Sequence, residues 1–555
     1  MKTTATGAGI VLCLAGILGL SPRAAAEPPV ALQLRDLSGS SDQDRQLLAA
    51  LYARRDFQPL WSVSGKPSRQ AQAVVNLLAT ADTYGLRPED YLVRVESGPI
   101  RNVQELAAAD STQAASVDLA ISAAALRFLW HVHAGRVDPR AAGFDFGKAR
   151  PPFEAGASLE RLATAEDTGA VIAAVEPPFY HYRLLKDALV RYRRIADGAP
   201  LPRLPDLPGH SVRQGEIYAG APALRETLIA SGDLDASAAL ADTEQTLDPA
   251  LVEAIRRFES RHQLDPDGVL GKAVLRELNV PIAQRVRQIE LGLERWRWVP
   301  PFQAPPIIVN IPQFKLFAFA STQDRAADIL QMDVIVGRAY RPAQTPVFAE
   351  DMKFVIFRPY WDVPYSIARK EILPKITANP AYLDKEHLEL VSGPDDSAQL
   401  LPATNENLHG LVTGSVRLRQ RPGPDNSLGL IKFMLPNAHN VYLHGTPARE
   451  LFRRSIRAFS HGCIRVRDPV ALAAFVLRDT PGEWTPERVE AAMNGPDSTR
   501  VNLRQPIPVM IVYATALATE AGQVLFFHDI YGYDRALEHL LGLAPVMPAH
   551  DRQGH

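Results

Sequence analysis

One thiol in the sequence sits among groups able to activate it. There are two cysteines, Cys13 and Cys463, and the second lies in Ser460-His461-Gly462-Cys463. A thiol ionises near pH ~8.5, so a nucleophilic cysteine needs a base or a positive field beside it. His444, followed by Gly445 and Thr446, and His461 are candidate bases. Six arginines (Arg449, Arg453, Arg454, Arg457, Arg465, Arg467) fall between residues 449 and 467 against one acid, Glu450. Gly462 lets the backbone approach a reacting carbonyl, and the N–H groups of Gly462 and Cys463 are candidate donors to the oxyanion that forms there. The chemistry this pattern suits is covalent acyl transfer through sulfur. A lone cysteine is more often an inert core thiol, and an arginine run a solvated helix face. It is the conjunction with His444 and the His-Gly dipeptide that favours a nucleophile.

Other chemistries fit less well. A zinc site built from His439, His444 and His461 would leave Cys463 idle, and no H-E-x-x-H supports it. His131 and His133 form an H-x-H pair with no third ligand nearby, which reads as a packed helix end. The loop Asp265-Pro266-Asp267-Gly268 lacks the alternating oxygens of a calcium loop and reads as a turn. A net charge of −2 and a pI near 6.7 give no basic field for nucleic acid. No metal or cofactor is expected.

The elements that must position Cys463 are spread over 555 residues, enough for about three or four domains. Residues 1–26 have the layout of a secretory signal peptide: Lys2, the apolar run IVLCLAGILGL and an A-x-A site before Glu27. The apolar run is short for a spanning helix, although an uncleaved anchor is the alternative. Export would leave Cys463 as the one cysteine, in an oxidising compartment where a free thiol needs a reason. Residues 27–205 read as a helical, alanine-rich domain ending in the proline-rich linker APLPRLPDLPGH. Residues 212–281 read as a small module of three helices with a DPDGVLG turn. A connecting helix follows over 284–299. Residues 300–515 are mainly β, with Val-, Ile- and Phe-rich segments such as PIIVNIPQFKLFAF and KFVIFRPYWDVP. A polar interruption at about 365–430 breaks this domain and reads as a lid or binding loop. Residues 516–555 form a C-terminal extension.

His-Gly-Thr-Pro at 444–447, a gap of twelve residues and then Ser-His-Gly-Cys resembles the signature of the L,D-transpeptidases of the YkuD type. FRPYWDVPYSIARKEILPKI, RQRPGPDNSLGLIKFMLPN and FHDIYGYD resemble the large periplasmic members of that family, and residues 254–279 resemble a peptidoglycan-binding module. The resemblance implies a multidomain fold: a helical scaffold domain, a three-helix peptidoglycan-binding-like module and a mainly-β catalytic domain with a capping insertion. It implies Cys463 as nucleophile, His444 as proton donor and acceptor, and Gly445 holding the imidazole through its backbone. His461 and Gly462 would shape the oxyanion site, and Trp361 and Tyr442 would line the groove. Arg465 stands where smaller relatives carry asparagine. The implied partners are peptidoglycan stem peptides, a tetrapeptide donor and a diaminopimelate amine acceptor, with other cell-wall synthases as candidate partners. The implied reaction is a 3→3 cross-link formed through a thioester with release of D-alanine. Hydrolysis at the same site (an L,D-carboxypeptidase) and a non-catalytic wall-binding scaffold are the competing readings. Carbapenems are expected to acylate Cys463.

Overall fold

A computed structural model describes residues 29–33 and 42–546, apart from 65, 96–97, 104–110, 148–152, 239–244, 322–328, 394–397 and 545. The expected signal peptide lies outside the described residues, as does the end of the C-terminal extension. The architecture is multidomain, with a helical N-terminal region, a small helical module and a mainly-β domain.

The helical region is built around α1 (Ser111–Ala134), whose Leu119, Ala125, Phe128, Leu129 and Val132 are buried by the helices packed around it. Burial of so apolar a helix inside a helical domain accounts for its composition without a membrane. Within it, Asp118 is buried but partnered: it accepts from the Leu60 and Trp61 amides at 3.0 and 2.7 Å. His131 bonds the Tyr91 hydroxyl at 2.7 Å, and His133 stacks on Phe153 with its Nδ1 3.0 Å from the Val175 carbonyl. Both ring systems are therefore engaged in packing.

The small module has its own core, from Leu204 to Leu278, under helices Ala221–Ser231, Pro249–Arg261 and Lys272–Leu278. Asp248 caps the second helix by accepting from Leu251 N at 2.8 Å, with Pro249 at the first helical position. Gly268 turns the chain at φ +74°, and its amide is held by the buried Glu259 at 2.8 Å. The far side of this turn docks on the β domain, where Gln263 donates to the Pro312 carbonyl at 2.6 Å and Ser455 to Asp265 at 3.0 Å.

Helices α2 (Tyr180–Asp197) and α3 (Ile282–Trp298) lie between these units. With the hairpin of Ala516–Ala518 and Val524–Phe526 they bury a further core of Tyr182, Leu185, Leu189, Ile289, Leu293 and Phe526. So the helix read from sequence within residues 27–205, the connecting helix and the C-terminal extension share one core. Gly135, at φ +81°, closes α1 against α3. A Cβ there would lie 2.6 Å from Glu294 Oε1, the atom that accepts the Val137 amide at 3.0 Å.

The β domain is a closed barrel of eight strands: β1 (Ile307–Asn310), β2 (Lys315–Ala318), β3 (Leu330–Gly337), β4 (Val347–Phe357), β5 (Ile431–Met434), β6 (Leu443–His444), β7 (Ile464–Val466) and β8 (Thr499–Val512). The order around it is β5-β6-β7-β3-β2-β1-β8-β4, and β4 pairs β5 to close the ring. Closure removes the exposed edges an open sheet would have. The scaffold contributes a short strand, Phe144–Asp145, parallel to β4. Inward positions are Val, Ile, Leu and Phe, with Val309, Leu316, Val334, Val355, Phe433, Leu443, Ile464 and Ile511 fully buried.

The polar interruption is more than a loop. It folds as a four-stranded antiparallel sheet (Trp361–Asp362, Arg417–Gln420, Leu388–Ser392, Gln399–Leu401) with short helices and its own core of Val363, Ile376, Leu390, Leu411 and Leu418. The alternation L-E-L-V and V-R-L-R buries the leucines, while Glu389 and Arg419 pair across the other face at 2.9 Å. Those charged partners made the segment look like loop. Its first strand begins at Trp361, four residues before the sequence reading opened it.

Candidate active site

The site lies on the outer face of β6 and β7. These strands are parallel, with Leu443 opposite Ile464 and His444 opposite Arg465. Because side chains alternate, burying Leu443 and Ile464 in the barrel turns Tyr442, His444, Cys463 and Arg465 outward together. On the other side β5 sets Lys432 directly opposite His444. Two motifs about twenty residues apart in sequence thus meet on one surface.

His444 is 4% exposed. Its Nδ1 lies 2.6 Å from the Gly445 carbonyl, so Nδ1 carries the proton, and the Leu428 carbonyl also faces the ring. Burial, reinforced by the Arg465 and Lys432 charges, pushes the imidazole down to about 3. Close packing beneath it depends on Gly429 (φ +64°), where a Cβ would lie 2.7 Å from the Thr446 nitrogen.

Cys463 keeps partial solvent access, and its Sγ lies 3.8 Å from the Asn440 carbonyl. Burial pushes its thiol up, outweighing Tyr442, Lys432 and Arg465, which pull the other way. Burial thus favours the neutral form of each group. The arginine run favours a thiolate through one member only. Of the six, Arg465 acts on the sulfur. Arg457 and Arg467 are bound to Asp333 at 3.1 and 2.6 Å, while Arg449, Arg453 and Arg454 are exposed. Burial also lowers Arg465 itself. Burial and the neighbouring sulfur push the Tyr442 phenol well above its ordinary value, and Lys432 Nζ stands 3.9 Å over its ring.

Gly462 adopts φ +120°, a region open to glycine. Its amide donates to Ser460 Oγ at 3.1 Å, and Ser460 in turn donates to the Cys463 carbonyl at 2.5 Å. The Gly462 N–H is thus occupied, and of the two expected oxyanion donors the Cys463 N–H is the one without a protein partner among the described residues. His461 turns away from the sulfur toward the capping subdomain, its Nε2 2.8 Å from Glu371 Oε1 and 3.4 Å from Arg338 Nη1. Glu371 sits on a π-helical turn, Ala368–Ile372, just before Pro374. Proline's missing N–H is a common cause of such a break in the helical ladder. Trp361 lies in the first strand of that subdomain, paired with Gln420, its ring packed on the subdomain's core. His439 packs against Phe348, so His439, His444 and His461 do not converge. No group of three His, Cys, Asp or Glu suited to a metal ion occurs among the described residues.

Sequence reading assigned no role to Lys432, Ser460, Glu371 or Gly429. Lys432 was legible in principle, since it alternates with the buried Ile431 and Phe433.

Comparison with known proteins agrees with this geometry. Residues 305–489 match the family model of the L,D-transpeptidase catalytic domain of YkuD type, residues 46–189 match a scaffold domain, and residues 222–278 match a model described as "Putative peptidoglycan binding domain". The three matches fall on the helical N-terminal region, the small module and the barrel. A Haemophilus influenzae protein named "Putative L,D-transpeptidase" is 32% identical over 252 residues, 45% of this chain. The match spans about half (49%) of that curated relative's length. The catalytic match ends at residue 489, ahead of β8, which joins β1 to β4 in the barrel.

Proposed function

We propose that the protein is a periplasmic cysteine L,D-transpeptidase that joins peptidoglycan stem peptides by 3→3 cross-links. The observation that carries this reading is the shared outer face of β6 and β7: Cys463 and His444 are presented together, with the imidazole Nδ1 fixed on the Gly445 carbonyl. His444 Nε2 takes the thiol proton as sulfur attacks the carbonyl of the third stem residue, at its L-centre. The oxyanion forms against the Cys463 N–H. The C–N bond to the terminal D-alanine breaks, its nitrogen takes the proton from His444, and a thioester remains. The side-chain amine of a second stem's diaminopimelate then attacks the thioester. Sulfur leaves and recovers its proton through His444, which closes the cycle. Arg465 and Lys432 suit the carboxylates of acidic stems. The capping subdomain meets this face through Glu371 and His461, and water kept out there would favour an amine acceptor over hydrolysis.

Purified protein incubated with disaccharide-tetrapeptide muropeptides, followed by mass spectrometry, tests the reading. Dimers lacking one D-alanine, absent with Cys463→Ala, are the expected result. Tripeptides alone would make the protein a carboxypeptidase. Turnover that survives in Cys463→Ala would sink the thioester mechanism.

A further inference from the structure

A buried chain of hydrogen bonds runs from the C-terminal extension to the peptide that carries the nucleophile. Thr345, fully buried in the loop between β3 and β4, donates its hydroxyl to the Gly462 carbonyl at 2.8 Å. The same oxygen accepts the Gly337 amide at 2.8 Å, so its one proton is committed to Gly462. Tyr531, from the FHDIYGYD segment, accepts the Thr345 amide at 3.1 Å and donates to the Gly337 carbonyl at 2.6 Å. Gly337 has no room for a side chain: a Cβ would lie 2.1 Å from the Ala343 carbonyl. The three groups therefore hold one another in a single arrangement.

The carbonyl of Gly462 and the N–H of Cys463 belong to one peptide unit. That unit is planar and trans, so the N–H points opposite to the C=O. Thr345 fixes the C=O toward the interior, which directs the Cys463 N–H outward, onto the face that carries Tyr442 and His444. Ser460, bonded to the Gly462 amide, holds the peptide plane before it. With φ +120° at Gly462 the backbone has other conformations within reach, and a side-chain clamp is what selects this one.

We propose that Thr345 is a positioning residue that orients the Cys463 N–H as the oxyanion donor, with Tyr531 holding Thr345 in place. This rests on the reading of Cys463 as an acyl-transfer nucleophile. Neither residue touches substrate. Both act through the Gly462–Cys463 peptide.

The experiment separates two reactions of one thiol in the full-length protein. Acylation by a carbapenem opens the lactam C–N bond through an oxyanion and needs the donor. Alkylation by iodoacetamide displaces iodide at a saturated carbon and does not. Thr345→Val is expected to slow acylation about 100-fold, the scale of losing an oxyanion donor, while alkylation of Cys463 stays within about twofold of wild type. Thr345→Ser, which restores the hydroxyl, should recover most of the acylation rate. Should Thr345→Val fold poorly, Tyr531→Phe reads the same axis with a smaller loss, about tenfold in acylation alone. Acylation of Thr345→Val at the wild-type rate overturns the proposal. So does a parallel loss of both reactions, because that reports a collapsed site rather than a turned peptide. A wild-type protein that alkylates at Cys463 but forms no acyl adduct there would instead remove the acyl-transfer reading and the positioning role with it.

Discussion

The barrel and the capping subdomain are both β-sheets with leucine-rich cores, yet they hold the site in different ways. The barrel is closed, so each strand is bonded on both sides, and its outward residues keep their places because their neighbours are locked inside. The capping sheet is open, has a far smaller core, and opposes the nucleophile loop through the half-exposed pair of Glu371 and His461. Exposed ion pairs are worth only ~0.2–1 kcal/mol. The candidate catalytic side chains stand on the closed sheet, while the open sheet faces them through an exposed contact.

Substitutions sharpen this contrast, the largest effect coming first. Cys463→Ala should abolish carbapenem adducts and muropeptide dimers alike, as read by intact-mass analysis. His444→Gln fills similar space but cannot take a proton. It should slow acylation by about 10²–10⁴, the usual contribution of a general base, measured by stopped-flow adduct formation. Acidity tests the buried environment of that histidine. With the imidazole held at about 3, its base form persists as pH falls and is lost only as pH passes down through that value. Acylation should therefore change little between pH 7 and 5 (roughly twofold at most), where an ordinary histidine near ~6.5 would already be mostly protonated. Core deletions separate the two sheets. Leu443→Ala in the barrel should cost about 2–5 kcal/mol of global stability and lower the main thermal transition. Leu411→Ala should leave that transition near its place and admit protease between residues 361 and 420. Loss of the barrel transition in both variants would mean that the two sheets unfold as one unit. The smallest effect belongs to Glu371→Gln, a change of less than about fivefold in acylation rate. A hundredfold effect there would make the contact part of the chemistry rather than of access.

Much of the molecule is legible in its sequence. The helical N-terminal region, the three-helix module with its glycine turn and the β-rich domain follow from apolar periodicity and punctuation. The proposed nucleophile and base stood out because a cysteine after His-Gly and a histidine before Gly-Thr are unusual together. The capping insertion was legible as an interruption but not as a fold, since its charged alternate residues masked a strand pattern. The arginine cluster misled for a related reason. Nearness in sequence said nothing of which guanidinium would reach Asp333 and which the sulfur.

The sequence by itself determined which atoms are available: a thiol, an imidazole two places from Tyr442, and a glycine where the chain must bend. The tertiary structure alone decided their state and direction. Desolvation depends on every atom packed around a group, so how far Cys463 and His444 are pushed toward their neutral forms is set only once the barrel face is assembled. The direction of the Cys463 N–H depends on Thr345 and Tyr531, which lie 118 residues before and 68 residues after it in the chain. Hydrogen bonds act over about 3 Å through space, and no local pattern in the sequence records which distant residues folding will bring within that range.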